Sequence, residues 1–517
     1  MDLGTVLRWT AERYPGRRAV GGSTPMTYAD WDAHTDRLAR ALVALGVRPG
    51  ERVVLALAGG EPLASLHLAA QKLGVVSVPL SFRLAPPEFA YCVADAEPAL
   101  VITDASTAAL ADEALAELPP VPRIASGPPD EDTVERLALR QPGGAPDVRV
   151  SGQDISVMLY TSGTTGKPKG VPRTHSAEHY AALAHLIQSG QSRFDATLGV
   201  MPLFHTMGLR TLLATLVGAG TWVPQVRFDA DEALELITAE QIGSLYLVPT
   251  IYWSLVRTGR LSEARTVRRL AYAGSSMTPA LAEQLTDALE PESFVNHFGS
   301  TEIYTFTVGP DVIAKPGSAG RAGVFSRVRL VDPDPAAPPD AQVAPGEQGQ
   351  VAISMSSPEA FAGYWHRPDA DARSIRDGWY FPGDLAIADE DGDLWVAGRV
   401  DDMINSGGEN IYPDEIEDAL IRCAAVRELV VVGMADDRWG QAATAFFVPG
   451  EDMTPEHATE VLEAFAREQS GLPSLKRPKR FVAVATIPKS AVGKVLRREL
   501  SSGNYRALSD SIAEAGR

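Results

Sequence analysis

Residues 155–170 read ISVMLYTSGTTGKPKG, and the fold turns on this stretch. Ile155–Tyr160 is a short apolar run of strand type, and the ten residues after it hold three glycines, four hydroxyl side chains and two lysines. That mixture directly behind a buried strand suits polyphosphate. Glycines let backbone N–H groups turn inward, hydroxyls donate to phosphate oxygens, and lysines neutralise charge. It is not a Walker A loop, because Gly163 and Gly166 are separated by two residues and Pro168 follows Lys167. No G-x-G-x-x-G follows a strand either, so a P-loop NTPase and a dinucleotide-binding unit are both disfavoured.

Outward from this loop, short apolar runs alternate with amphipathic segments between about residues 50 and 300. Strands are expected at 52–58, 75–80, 99–103, 155–160, 197–203, 245–249, 270–273 and 294–298, with helices at 61–74, 86–95, 177–189, 230–241 and 279–289. This alternation predicts βαβ units and parallel sheet buried on both faces. Beyond residue 320 strands at 328–331, 350–354 and 394–397 follow one another without helices, the pattern of antiparallel or barrel-like pairing. The stretch 331–347 and much of 118–153 are rich in Pro and read as surface loop. A last unit from about 402 reads as helix 414–424, strands 428–433 and 442–448, helix 455–468, strand 481–487 and a terminal helix.

The chain has 517 residues, room for about three domains. Its 45% hydrophobic and 22% charged residues fit a packed core and exclude general disorder. The net charge of −19 argues against nucleic acid or an anionic membrane as the main partner. Two cysteines, Cys92 and Cys423, cannot build a disulfide framework, and they suit a reducing compartment. No run of ~18 apolar residues reads as a membrane span, and the acidic start at Asp2 does not read as a secretory signal, so a cytoplasmic location is expected. Only eight residues are lysine, which makes the pair in the phosphate loop conspicuous.

Five further segments extend the pattern: PLFHTMGL at 202–209, NHFGSTE at 296–302, GWYFPGDL at 378–385, GRVDDMINSGGENIYPDE at 398–415 and PKSAVGKVLRREL at 488–500. With YTSGTTGKPKGV they resemble, in order, the signatures of the adenylate-forming (AMP-binding) superfamily of acyl- and aryl-CoA synthetases, peptide-synthetase adenylation domains and luciferases. The resemblance spans roughly residues 5–505. It is strongest to aryl-CoA ligases that activate benzoates, such as 4-chlorobenzoate-CoA ligase. It implies an α/β fold with a large N-terminal domain (1–398) of parallel-rich sheets layered with helices plus a small barrel-like β subdomain. A hinge (399–402) and a small, mobile α+β C-terminal domain (403–517) would follow.

The chemistry implied is adenylation of a carboxylic acid by MgATP, then transfer of the acyl group to the thiol of CoA. By resemblance, Lys494 is the catalytic lysine that bridges carboxylate and α-phosphate, and Glu302 holds Mg²⁺. Thr161, Ser162, Gly163, Thr164, Thr165, Lys169, Ser300 and Thr301 contact the nucleotide. Asp384 takes the ribose hydroxyls, a task suited to a carboxylate, and Arg399 contacts phosphate or ribose. Asp401 is the hinge residue about which the small domain rotates between half-reactions.

By the same resemblance His205 stands beside the acyl carboxylate. The acyl pocket is expected from Leu183, His205, Met207, Ala273, Gly274, His297, Gly299 and Tyr304, a mixed wall fit for a flat ring with polar substituents. His297 either faces a ring substituent or caps a strand end. No Asp lies in 202–211 to hold an α-ammonium, which argues against an amino acid substrate.

For CoA the resemblance points to Arg83, Gly407, Gly408, Trp439, Lys476, Arg477 and Lys479. Two departures from the family pattern are Leu475, where an aromatic would stack on adenine, and Pro382, where Thr is usual. The alternatives are an enzyme that loads a carrier protein, or one of secondary metabolism that activates another oxyanion, such as nitrite for diazotising an aromatic amine. Homodimerisation is compatible with the resemblance. His175-Ser176-Ala177-Glu178-His179 has the spacing of an inverted zinc-protease motif, yet its place behind the phosphate loop reads better as a helix start.

Overall fold

The computed structural model describes residues 1–129, 131–162, 167–309, 311–334, 336–400, 402–406, 409–411, 413–436, 439–450, 453–474, 476–489 and 495–512. They form two compact units. The first comprises Met1–Val328, Ile353–Tyr380 and Gly392–Leu394; the second comprises Arg329–Ala352, Phe381–Asp391 and Trp395–Arg517.

Two large sheets dominate the first unit. One runs in the order Arg123–Ala125, Leu100–Thr103, Arg52–Ala56, Val76–Pro79, Ile155–Ser162, Pro168–Thr174. It is parallel up to the last pair, which closes antiparallel across the phosphate loop with Tyr160 opposite Gly170. Val53 to Ala56 are all buried, as strands covered on both faces must be. The nine-stranded second sheet has a parallel centre of Thr221–Pro224, Ala196–Gly199, Ile242–Leu247, Arg269–Ala273 and Ser293–Phe298. Its register sets Ala273 opposite His297. Parallel strands alternating with helices through residue 300 follow from the apolar runs, and the mixed α/β class expected from them is what forms.

Two helices pack against each other in this unit and carry site residues. His175–Ser189 starts where Thr174 accepts the Ala177 N–H, and Thr206–Val217 starts where His205 Nδ1 accepts the Met207 N–H at 3.3 Å. The second was not expected from the sequence. Met207 to Leu216 are all buried, so this helix has no polar face to reveal its period. The strand expected to reach residue 203 ends at Gly199, ahead of Pro202, whose carbonyl accepts the His205 N–H. Helices Leu3–Arg13 and Tyr28–Ala44 precede the first apolar run and were also missed. Within 118–153, read mostly as loop, lie the short strand Arg123–Ala125 and the helix Val134–Leu139.

Antiparallel pairing takes over after residue 320, as expected: Ile353 pairs with Tyr380 in the first unit and Gln348 with Ile387 in the second. The second unit's main sheet is ordered Glu409–Ile411, Ile404–Ser406, Gly440–Pro449, Arg480–Val484, Ala507–Ile512, with Val426–Asp436 also paired to Gly440–Pro449. Helices Pro413–Leu420 and Pro455–Glu468 accompany it. The expected terminal helix is replaced by a single turn, Arg497–Ser501, and an edge strand, Ala507–Ile512. No helix among the described residues is long and apolar enough to cross a membrane.

Candidate active site

The antiparallel pair around the phosphate loop sets Thr161 opposite Lys169. Gly170 is required by crowding, since a Cβ there would lie 2.9 Å from Met158 Sδ and 3.1 Å from Trp365 Cβ. Its carbonyl accepts the Trp365 N–H at 2.9 Å, which draws the 361–365 segment over the strand. Gly163, Thr164, Thr165 and the Ser162 side chain lie outside the described residues.

Lys169 Nζ sits 4.1 Å from the centre of the Tyr364 ring, and the Tyr364 hydroxyl donates to Glu302 Oε1 at 2.6 Å. Lysine, phenol and carboxylate thereby form one chain of contacts beside the loop. Ser300 Oγ accepts the N–H groups of Glu302 and Ile303 at 3.2 and 3.4 Å, fixing the turn that carries Thr301 and Glu302. At Gly299 a Cβ would collide with the Tyr304 carbonyl, so the strand can pass into this turn only as glycine. Burial and the Glu302 charge raise the Tyr364 and Tyr380 phenols, keeping both as hydrogen-bond donors.

Beneath the turn lies a residue that the sequence reading passed over. Arg173 is fully buried and paired with Glu178. Its Nη1 donates to the carbonyls of Thr301 (3.2 Å), Glu302 (3.1 Å) and Glu359 (2.9 Å). The guanidinium lies 3.7 Å from the Tyr304 ring centre, and the Tyr304 hydroxyl donates to Glu178 Oε2 at 3.2 Å. The Glu178 of HSAEH is thus a counter-ion, while His175 Nδ1 accepts the Leu3 N–H at 3.3 Å. The legible signal was a lone arginine in the otherwise uncharged run VPRTH, five residues before an acid.

Of the residues expected to line the acyl pocket, Leu183, Met207, Ala273 and His297 come from the two packed helices and two neighbouring strands. Met207, Ala273, His297 and Tyr304 are buried, Leu183 and His205 half-buried, and Gly274 and Gly299 exposed. His297 is packed with His185 and Tyr246, ring centres 5.5 and 5.4 Å away, and its Nδ1 lies 3.4 Å from Arg210 Nη1. Burial and Arg210 push both imidazoles well below the ordinary histidine range, so both are neutral.

In the second unit Arg399 Nη1 bonds Asp384 Oδ1 at 2.7 Å, and its Nη2 donates to the Pro382 carbonyl at 2.6 Å. Gly383 between them adopts φ +84°, which favours glycine. The proline therefore costs a hydroxyl but keeps a carbonyl that orients Arg399. Lys476 is clasped by both oxygens of Glu415 at 2.7 Å, Arg477 Nε donates to the Leu472 carbonyl, and Lys479 Nζ to the Ser474 carbonyl. Trp439 N–H caps onto Asp436, and Arg83, in the first unit, is exposed above the Phe82 ring. Asp401, Gly407, Gly408, Leu475 and Lys494 lie outside the described residues. Just past the Lys494 segment, Arg497 Nη2 binds Asp414 and Glu417 at 2.8 and 2.7 Å.

Residues 7–365 match the model of the AMP-binding enzyme family, and residues 415–494 match the AMP-binding enzyme C-terminal domain. The chain belongs to the AMP-binding enzyme family. It is 33% identical over 497 residues to feruloyl-CoA synthase of Amycolatopsis sp, covering 93% of this chain and 94% of that one. It is 32% identical over 509 residues to the long-chain-fatty-acid–CoA ligase FadD13 of Mycobacterium tuberculosis, with 96% and 98% covered. A solved structure of the anthranilate CoA ligase AuaEII in complex with anthranoyl-AMP superposes with a TM-score of 0.87 at 26% identity, covering 97% of each chain. This AMP-binding enzyme is an AMP-forming acid–CoA ligase that joins a small-molecule carboxylic acid to CoA at the expense of ATP.

Proposed function

We propose that the acid is aromatic and that the residues named above divide the two half-reactions between them. The observation that carries the aromatic reading is the ring-built end of the acyl side. His185, Tyr246 and His297 lie with centres 4.7 to 5.5 Å apart, all buried. Such a floor suits a short flat ring.

In the first half-reaction a carboxylate oxygen of the acid attacks the α-phosphorus of ATP, the bond to the bridging oxygen breaks, and pyrophosphate leaves. Both reactants are anions, so positive charge must meet them. In this reading Lys169 and the loop hydroxyls take the phosphates, Lys494 serves carboxylate and α-phosphate, and Asp384 with Arg399 takes the ribose. Glu302 fits Mg²⁺, because among the described residues Tyr364 occupies only one of its oxygens and a single carboxylate with substrate phosphates is an ordinary magnesium site. When bound, that ion neutralises the charge of the phosphate oxygens. Arg173 holds the 301–302 backbone and so aims Glu302. In the second half-reaction the CoA thiolate attacks the acyl carbon and AMP departs. By the same reading Gly407 and Gly408 serve the thiol, Lys476, Arg477, Lys479 and Arg83 the CoA phosphates, and Asp401 the hinge.

Product mass spectrometry with MgATP, CoA and a panel of benzoates, cinnamates and fatty acids tests the reading. An aryl-CoA thioester formed with no carrier protein present supports it. Conversion of the fatty acids alone, or aryl-AMP left standing until a carrier protein is added, overturns it. The buried free thiols of Cys92 and Cys423 suit a cytoplasmic setting.

A further inference from the structure

We infer that the helix Pro86–Ala96 positions the strands flanking the phosphate loop for the two phosphates that leave as pyrophosphate, Asp95 acting on Tyr160 and Trp365 and the Tyr91 ring on Lys167. The inference rests on the reading above that residues 161–170 take phosphate, and it goes further by naming the positioning residues. In that reading Lys494 serves the α-phosphate, which leaves the loop lysines the β- and γ-phosphates.

Tyr91 and Asp95 stand four residues apart, on one face of the helix. Phe89, Cys92, Val93 and Ala96 carry its buried packing, and Tyr91 and Asp95 are half-buried beside them. Asp95 Oδ2 accepts the Tyr160 hydroxyl at 2.7 Å, and the Asp95 carbonyl accepts Trp365 Nε1 at 3.0 Å. Tyr160 lies opposite Gly170, whose carbonyl accepts the Trp365 N–H. One residue therefore fixes both strands at the same rung, the entering strand by a charge-assisted bond and the leaving strand through Trp365. Burial and the Asp95 charge raise the Tyr160 phenol, so it stays a donor.

Lys167 Nζ lies 5.4 Å from the centre of the Tyr91 ring, and among the described residues no carboxylate lies within 4.0 Å of it. Four other lysines, Lys72, Lys315, Lys476 and Lys489, sit 2.6–2.7 Å from carboxylates. Such a partner would have to be displaced before phosphate could bind. A ring attracts the ammonium through its quadrupole and leaves the full charge for the ligand. The Arg367 guanidinium, clasped by Asp369 at 2.8 and 2.9 Å, lies beside the Tyr91 hydroxyl and steadies the ring.

Calorimetric titration of the enzyme with MgATP and with AMP tests this, because AMP lacks the two phosphates in question. We expect Tyr91→Leu to weaken MgATP about three- to fivefold, the worth of a solvent-facing cation–π contact, and to add nothing in a Lys167→Ala background. Asp95→Asn and Tyr160→Phe, which weaken one bond from its two ends, should each cost about tenfold. Tyr91→Phe keeps the ring and should bind MgATP as the wild type does, and AMP affinity should hold in every variant. A MgATP-to-AMP affinity ratio at the wild-type value in Tyr91→Leu, or in both Asp95→Asn and Tyr160→Phe, overturns the inference. So does equal loss of both nucleotides, or Tyr91→Phe as weak as Tyr91→Leu. Lys169→Ala without effect on MgATP overturns instead the phosphate reading beneath it.

Discussion

Replacing Arg173 with methionine strands Glu178, whose side chain is 1% exposed, as a buried carboxylate without its cation. Breaking a buried pair from one side costs about 3–5 kcal/mol. At roughly 2 °C per kcal/mol for a large chain, melting should fall by about 6–10 °C. Three carbonyls lose their donor in the same change, those of Thr301, Glu302 and Glu359, so the Glu302 turn loosens as well. Removing both charges, as Arg173→Met with Glu178→Leu, replaces the pair by apolar volume and should recover most of the lost stability. Calorimetry on the two singles and the double gives the cycle, and pyrophosphate release titrated with Mg²⁺ reads the turn. The double should still need more Mg²⁺ than the wild type, because the carbonyls remain unheld. A single variant that melts within about 1 °C of the wild type, or a double whose losses simply add, would refute the pinning role of Arg173.

Other expectations concern single groups. Lys494→Ala should cut pyrophosphate release at least about 100-fold while synthetic acyl-AMP is still converted to the thioester, as loss of a transition-state cation requires; equal loss in both assays would place Lys494 elsewhere. Glu302→Gln should raise the Mg²⁺ needed for half-maximal rate about tenfold or more, whereas Tyr364→Phe, which removes one hydrogen bond, should cost under tenfold. Burial holds His67 down at about 3 and His175 at about 4. Unfolded, both take up protons below the usual value of 6.5, while the folded protein resists. Their contribution is therefore complete above pH 6.5 and shrinks as pH falls, by about 2 kcal/mol each by pH 5. Urea midpoints at pH 7 and 5 should differ by less in His67→Leu than in the wild type; an unchanged pH difference would exclude His67 as a source of acid lability.

The sequence by itself determined the parallel α/β core, because runs such as RVVLALA can only be strands covered on both faces. It also singled out 161–170 as a candidate for binding phosphate, since glycine, hydroxyl and lysine at close spacing have a local chemical meaning that needs no partner. The terminal strand Ala507–Ile512 escaped it, because an edge strand takes its shape from the neighbour it pairs with, here Arg480–Val484. The helix Thr206–Val217 escaped it because full burial erases amphipathic periodicity. HSAEH had the spacing of metal ligands, and only the fold could assign its glutamate, by bringing Arg173 against it. Arg210, His185 and His297 lie up to 112 positions apart, from His185 to His297, and nothing local in their sequence joins them. Which charges are buried, and which of them lack partners, depends on atoms contributed by distant segments, and that the tertiary structure alone decided.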